Sequence, residues 1–243
     1  QLGLMIGAKI DTSDNDTYDP VPLVSDTYQD QGEANFNPVP GYFRLGLNPL
    51  VAISNIPETW PLSWPEGIQV GNSGWPGIDQ FENESIASQE SFWIMRDYEK
   101  KYFDTHNQTK TALGSLEIMC RGLQSNTTLT SRIIYFTYDV INKSDQTLMD
   151  CRIGLMVDPD HPAHLETEYS DDNAEYIPSL NMAMTYDYDN NYSNWPGADL
   201  AYMGIMMLQT PIDSSGADIG VTSWKSFKYS DMPKSGNIGG SYF

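Results

Sequence analysis

The chain has 243 residues, of which 40% are hydrophobic and 12% aromatic, enough to fill the core of one large domain or two small ones. Its 33 acidic residues against 13 basic ones give a net charge of −20, which would repel nucleic acid phosphates and anionic lipid head groups. We therefore expect no nucleic acid partner, and no direct membrane insertion either, because no stretch approaches the roughly 18 apolar residues that span a bilayer.

Alternation of apolar and polar residues with period two predicts an all-β chain, and no window longer than about ten residues sustains a helical period. The run 132–141 is apolar at one set of alternate positions and mixed at the other. This pattern is typical of an antiparallel β-sandwich, here of jelly-roll or immunoglobulin-like type. In chain order, the predicted strands cover residues 4–10, 42–45, 91–97, 115–122, 132–141, 147–157, 182–188, 201–208 and 221–227.

A proline- and tryptophan-rich segment, residues 48–90, shows little alternation. Because proline removes a donor from a β-ladder, we predict a long ordered insertion or a coat over the sheets. Four tryptophans have two interpretations, as packing anchors or as a platform that stacks on sugar rings: Trp60, Trp64, Trp75 and Trp195. We expect a single β-sandwich domain over 1–243, with 48–90 as the insertion, cut from a longer precursor.

Two cysteines, Cys120 and Cys151, each lie in a strand-like run. A disulfide between them would close a loop of about 30 residues and add roughly 3 to 4 kcal/mol if the geometry allowed it. Two buried free thiols that act as small hydrophobic side chains explain the pattern equally well. The sequence leaves both alternatives open.

Aspartates crowd the short loops between the predicted strands. Carboxylates packed so closely repel each other unless a cation or solvent relieves them, and calcium prefers six to eight oxygen ligands. We therefore predict a Ca²⁺ site and no organic cofactor, with solvated turns as the alternative. The predicted ligands form two clusters, at 158–172 and at 187–191: Asp158, Asp160, Glu166, Asp171, Asp172, Asp187, Asp189 and Asn191.

No catalytic arrangement stands out in the sequence. His161 and His164 could recruit zinc, but their spacing lacks a second ligand set. A glycoside hydrolase would need two carboxylates about 5 to 10 Å apart in a cleft. An acidic chain supplies such pairs everywhere, here from Glu90, Asp97, Glu99 or Asp139. We assign no catalytic residue.

Eight segments occur in a characteristic order: GLMIGAK at 3–9, WP at 60–61 and again at 64–65, GWPG at 74–77, SQESFWIMRD at 88–97, YFTYDVINKS at 135–144, GLMVDPD at 154–160 and GIMMLQTP at 204–211. In this order they resemble large uncharacterised secreted or cell-surface proteins of Bacteroidetes-type bacteria. Those proteins often end in a type IX secretion sorting domain and carry fibronectin-like modules. The resemblance implies export and residence at the cell surface, and it leaves the activity of the chain open.

We predict an extracellular structural or adhesive module, secreted or on the cell surface and stabilised by calcium. Its partners would be copies of itself, other surface proteins or glycans, joined by strand addition at an exposed edge or through the aromatic insertion. A carbohydrate-binding module is the alternative, and a glycoside hydrolase is a lesser one.

Overall fold

The computed structural model describes residues 2–10, 21–26, 36–39, 43–44, 50–66, 68–77, 87–97, 113–157, 172–189, 197 and 200–226. Over these ranges the chain is all-β, with antiparallel sheets and no α-helix, which confirms the predicted fold class. The sandwich arrangement of the sheets stays a prediction. Within the same ranges, no helix has the length and apolar character needed to cross a membrane.

The strands are short to medium in length, and the described ranges also contain two 3-10 turns, Pro57–Thr59 and Pro178–Leu180. In chain order the strands are β1 Leu2–Ile10, β2 Val21–Asp26, β3 Asn37–Pro38, β4 Phe43–Arg44, β5 Leu50–Ile53, β6 Gln89–Arg96, β7 Leu116–Gln124, β8 Ile134–Asn142, β9 Met149–Val157, β10 Asp172–Ile177, β11 Met182–Asp187 and β12 Met203–Met206.

These strands form three sheets. Their orders are β2-β1-β9, β10-β11-β12, and a six-stranded sheet β4-β5-β6-β7-β8 in which β3 also pairs with β6. The described residues group into two compact units, a larger one within 4–154 and a smaller one of 2–3 and 155–226. The six-stranded sheet belongs to the larger unit and β10-β11-β12 to the smaller. A single domain with an insertion at 48–90 stays a prediction.

Eight of the nine predicted strands coincide with observed strands within a few residues, because each has apolar side chains at alternate positions. The prediction at 221–227 is wrong over the described residues 221–226, which form no strand. Alternation of apolar and polar residues can predict an extended segment, but a strand also needs a neighbouring strand with which its backbone forms hydrogen bonds. Four observed strands were not predicted, namely β2, β3, β5 and β10.

The polar turn after β8 connects two different sheets. Asn142 donates from Nδ2 to the Gln146 carbonyl at 2.7 Å and accepts from the Ser144 backbone N–H at 3.1 Å. Such side-chain bonds to the local backbone stabilise turns. However, β8 pairs with β7 whereas β9 pairs with β1, so segment 142–146 is a connection between two sheets and not the turn of a β-hairpin.

The core of the larger unit lies against one face of β6. Phe92 and Ile94 occupy alternate positions of that strand and pack with Val39, Ala52 and Trp75. Half-buried side chains from 60–68 pack against the same cluster. Part of the proline- and tryptophan-rich segment therefore covers the sheet, and another part, β5, is one of its strands.

Candidate functional site

The candidate site lies at the open end of the hairpin formed by β10 and β11. The turn between these strands begins with Pro178, whose ring fixes φ, and ends at Asn181, which adopts a left-handed φ of 47°. Proline and asparagine suit these two positions, so the local sequence specifies the turn. The geometry of this turn fixes the register, that is, which residues of β10 and β11 stand opposite each other.

At the end of the hairpin away from the turn, Asp172 stands directly opposite Asp187. Opposed residues of an antiparallel pair project from the same face of the sheet, with Cβ atoms about 4.5 to 5.5 Å apart. Like charges in this position repel each other and destabilise the pairing. The register thus holds together two carboxylates that would separate in the absence of the sheet.

Burial makes this opposition more costly. Asp187 is 5% exposed, and both of its carboxylate oxygens are buried and accept no hydrogen bond from any group in the described ranges. The Oδ1 atom of Asp172 is buried as well. A buried carboxylate costs several kcal/mol unless it is paired, hydrogen-bonded or bound to a metal. A positive group next to the Asp187 carboxylate would therefore stabilise the folded state.

A hard divalent cation would supply such a positive group. Asp172 and Asp187 together offer up to four carboxylate oxygens, and Ca²⁺ takes six to eight oxygen ligands, some of them from water. The described residues include no group of three or more His, Cys, Asp and Glu side chains that could hold a metal. The two aspartates would thus supply part of a coordination shell that other ligands complete.

The register of β10 and β11 brings together one residue from each predicted acidic cluster, Asp172 and Asp187. Asp189 is exposed, just beyond the end of β11. The remaining predicted ligands lie outside the described residues, as do the two histidines considered for zinc: Asp158, Asp160, Glu166, Asp171, Asn191, His161 and His164. Calcium binding by the full set stays a prediction.

The tryptophans of the larger unit form a packed cluster. Ring centroids of Trp60, Trp64 and Trp75 lie 5.3 to 6.0 Å apart, and Trp64 meets Phe92 edge-on at 5.7 Å. Each indole N–H is used within the protein, at 2.7 to 2.9 Å. Trp75 is 1% exposed and offers no ring face to a sugar, so its role is that of a packing anchor. Trp195 lies outside the described residues.

A buried ion pair adjoins this cluster. Glu90 is fully buried; its Oε2 atom accepts the Trp75 indole N–H at 2.8 Å and lies 3.7 Å from Nη1 of Arg121. Arg121 also donates to the Pro76 carbonyl and lies over the Phe92 ring at 5.0 Å. Burial lowers the pKa of Arg121, and the Glu90 carboxylate opposes that shift. Through these contacts Glu90 stabilises the packing around the tryptophan cluster.

Of the other carboxylates considered for glycoside hydrolysis, Asp97 and Asp139 lie within the described residues. Asp97 is buried and accepts backbone N–H groups from Gly114 at 2.8 Å and Leu116 at 2.7 Å, which fixes the chain at the start of β7. Asp139 is exposed in β8, and Glu99 lies outside the described ranges. Asp97, like Glu90, is thus engaged in contacts that hold the local structure together.

Both cysteines are free thiols in the structure. Cys120 is buried in β7 and Cys151 is exposed in β9. Burial raises the pKa of the Cys120 thiol far above its usual range and also raises that of Cys151. Of the two alternatives, the structure has the unbridged one, although only Cys120 is buried.

Comparison with known proteins gives no match: no protein-family model, no curated protein and no solved structure is similar to this chain. The function is therefore inferred from the chain's own residues, above all from the opposed aspartates of β10 and β11.

Proposed function

We propose that the chain is an extracellular structural module whose smaller unit is stabilised by Ca²⁺ bound between Asp172 and Asp187. The buried Asp187 carboxylate, opposite a second carboxylate, is the observation that carries the proposal. A cation in this position offsets the repulsion within the pair and supplies the missing partner of Asp187. The role of the metal is mechanical, because it holds the open end of the hairpin together.

The number of protein ligands also bears on the compartment. Calcium affinity rises with the number of charged ligands and with the rigidity of the site. A site built on two described carboxylates, Asp172 and Asp187, fits the weak class of extracellular modules, with dissociation constants on the order of 10⁻⁴ to 10⁻³ M. Such a site fills where calcium is millimolar, which agrees with the proposed location outside the cell.

Thermal unfolding in calcium and in EDTA tests the proposal. Ligand at 100 times its dissociation constant stabilises the folded state by about 2.7 kcal/mol. For a chain of this size, each kcal/mol shifts the Tm by about 2 to 4 °C, so saturating calcium should raise the Tm by about 5 to 10 °C. A Tm that is the same in calcium and in EDTA would remove the calcium proposal.

Replacement of one ligand separates a specific site from a general effect of salt. Asp187→Asn removes the buried charge, so we expect the calcium-dependent shift to disappear and the Tm in EDTA to rise. The matched control is Asp145→Asn, which removes a charge from an exposed turn outside the site. If the control lost the shift as well, the effect of calcium would belong to the net charge of −20 and not to this site.

A further inference from the structure

The outermost strand of the six-stranded sheet, β8, has one edge without a neighbour among the described strands. Its inner edge pairs with β7 along its whole length, from Ile134 opposite Gln124 to Asn142 opposite Leu116. The sheet order ends at β8. A nine-residue strand in this position presents a long row of backbone groups on its outer side.

One backbone hydrogen bond identifies those groups. Lys143 donates its backbone N–H to the Ser115 carbonyl, on the side of β7, at 2.7 Å. The direction of N–H and C=O alternates along an antiparallel strand, so the odd-numbered residues of β8 face β7. The backbone groups that face outward belong to Ile134, Phe136, Tyr138, Val140 and Asn142.

The side chains of β8 lack the features that protect most edge strands. Natural edges carry charges, proline or a bulge that prevent pairing with another chain. Here Ile134 is 56% exposed and Phe136 is 43% exposed, and the ladder with β7 has no bulge. Asp139 is the one charge within the strand. The edge is thus apolar, regular and long.

The distribution of charge along the chain indicates which partner could pair with the outer edge of β8. The chain carries a net charge of −20, yet segment 132–143 contains two basic residues, Arg132 and Lys143, and one acidic residue, Asp139. Two copies of the chain repel each other over most of their surface. Segment 132–143 is a place where two copies can approach with little repulsion.

We propose that β8 pairs with β8 of a second copy of this chain, antiparallel, about a two-fold axis at Thr137. This register sets Ile133 against Ile141, Ile134 against Val140 and Phe136 against Tyr138, so apolar side chains meet apolar ones. Tyr135 stands opposite Asp139, where its hydroxyl can donate to the carboxylate, and the two Asp139 carboxylates stay apart.

A two-fold axis at Thr137 also allows the outward-facing backbone N–H and C=O groups of the two copies to form hydrogen bonds with each other. Outward-facing residues meet outward-facing residues, because 134 pairs with 140 and 136 with 138. The interface is isologous, so it closes as a dimer and does not grow into a filament. The inference deepens the proposed structural role and rests on it. It does not require the cation, so the two proposals can fail separately.

Sedimentation of the full chain over a concentration series tests the dimer, in calcium and again in EDTA. We expect a monomer–dimer equilibrium in both buffers, weakened at least tenfold by Phe136→Lys. The control is Leu62→Lys, which places the same charge on an apolar residue outside β8 that is even more exposed, and it should leave the equilibrium unchanged. A monomer at every concentration, as expected if the natural occupant is a peptide of another protein, would overturn the proposal, and so would an equal effect of the control.

Cross-linking tests the register without reliance on affinity. Thr137 faces its own copy at a non-hydrogen-bonded position, where Cα atoms lie about 4.5 Å apart, within reach of a disulfide. In a Cys151→Ser background, which removes the exposed native thiol, Thr137→Cys should form an oxidised dimer. Tyr135→Cys should not, because its own copy lies about four residues along the strand, roughly 13 Å away. Absence of the Thr137→Cys dimer, or equal cross-linking of the two variants, would overturn this register.

Discussion

Removal of one charge from the buried ion pair beneath the tryptophan cluster should destabilise the larger unit strongly. Glu90→Gln keeps the shape of the side chain and an oxygen that accepts the Trp75 N–H, but it removes the carboxylate beside Arg121. The Arg121 side chain is 11% exposed, so water compensates little. Breaking a buried pair in this way costs about 3 to 5 kcal/mol.

We expect a value near the lower bound, about 3 kcal/mol. The charged atoms are 3.7 Å apart, which is long for an ion pair, and Arg121 keeps its bond to the Pro76 carbonyl and its position over Phe92. At about 2 to 4 °C per kcal/mol, the Tm should fall by about 6 to 12 °C. Tryptophan fluorescence during thermal or urea unfolding reports on the neighbouring cluster directly.

A double-mutant cycle separates the ion pair from other effects of the substitution. The double variant Glu90→Gln/Arg121→Met removes both charges of the pair. It therefore leaves no uncompensated buried charge, whereas each single variant does. The double variant should be more stable than the sum of the single effects predicts, by at least about 1 kcal/mol. Additive effects, or a Glu90→Gln change within about 0.5 kcal/mol of zero, would refute this reasoning.

Two further predictions concern titratable groups of the larger unit. An aromatic disulfide reagent should titrate one thiol per native chain, Cys151, and the buried Cys120 only after unfolding; no reactive thiol before or after unfolding without reductant would instead indicate a disulfide. Burial raises the pKa of Tyr138 from 10.0 to about 12, so the neutral phenol is favoured in the folded state. Its contribution to stability is complete below about pH 10 and is lost as the pH rises through about 12. Tyr138→Phe should remove that part of the stability loss, and identical pH profiles would contradict the assignment.

Period-two alternation was enough to predict the fold class, because apolar side chains at alternate positions have one simple solution, a strand with a buried face. The strand β10 was missed because it begins with Asp172 and Asn173, residues typical of loops. The opposition of Asp172 and Asp187 depends on that strand and on the register set by the turn at 178–181. The sequence could therefore predict acidic density but not which two acids meet.

The same limit applies to the tryptophan segment. Its composition predicted an ordered coat, and the structure has Trp75 buried against β6. The partner of Glu90 could not be predicted, because Arg121 reaches it through the pairing of Phe92 with Arg121 across β6 and β7. Local patterns carry no information about contacts between strands that are distant in sequence.

Terbium luminescence provides the most direct measurement of cation binding at the opposed aspartates. Terbium is a hard cation that occupies oxygen-rich calcium sites, and Asp187 is flanked by Tyr186 and Tyr188, whose excitation can sensitise a bound ion. We expect saturable sensitised emission that calcium displaces, and that is lost in Asp187→Asn but kept in the control Asp145→Asn. Emission that is absent in the wild type, or that persists unchanged in Asp187→Asn, would contradict a cation held between Asp172 and Asp187.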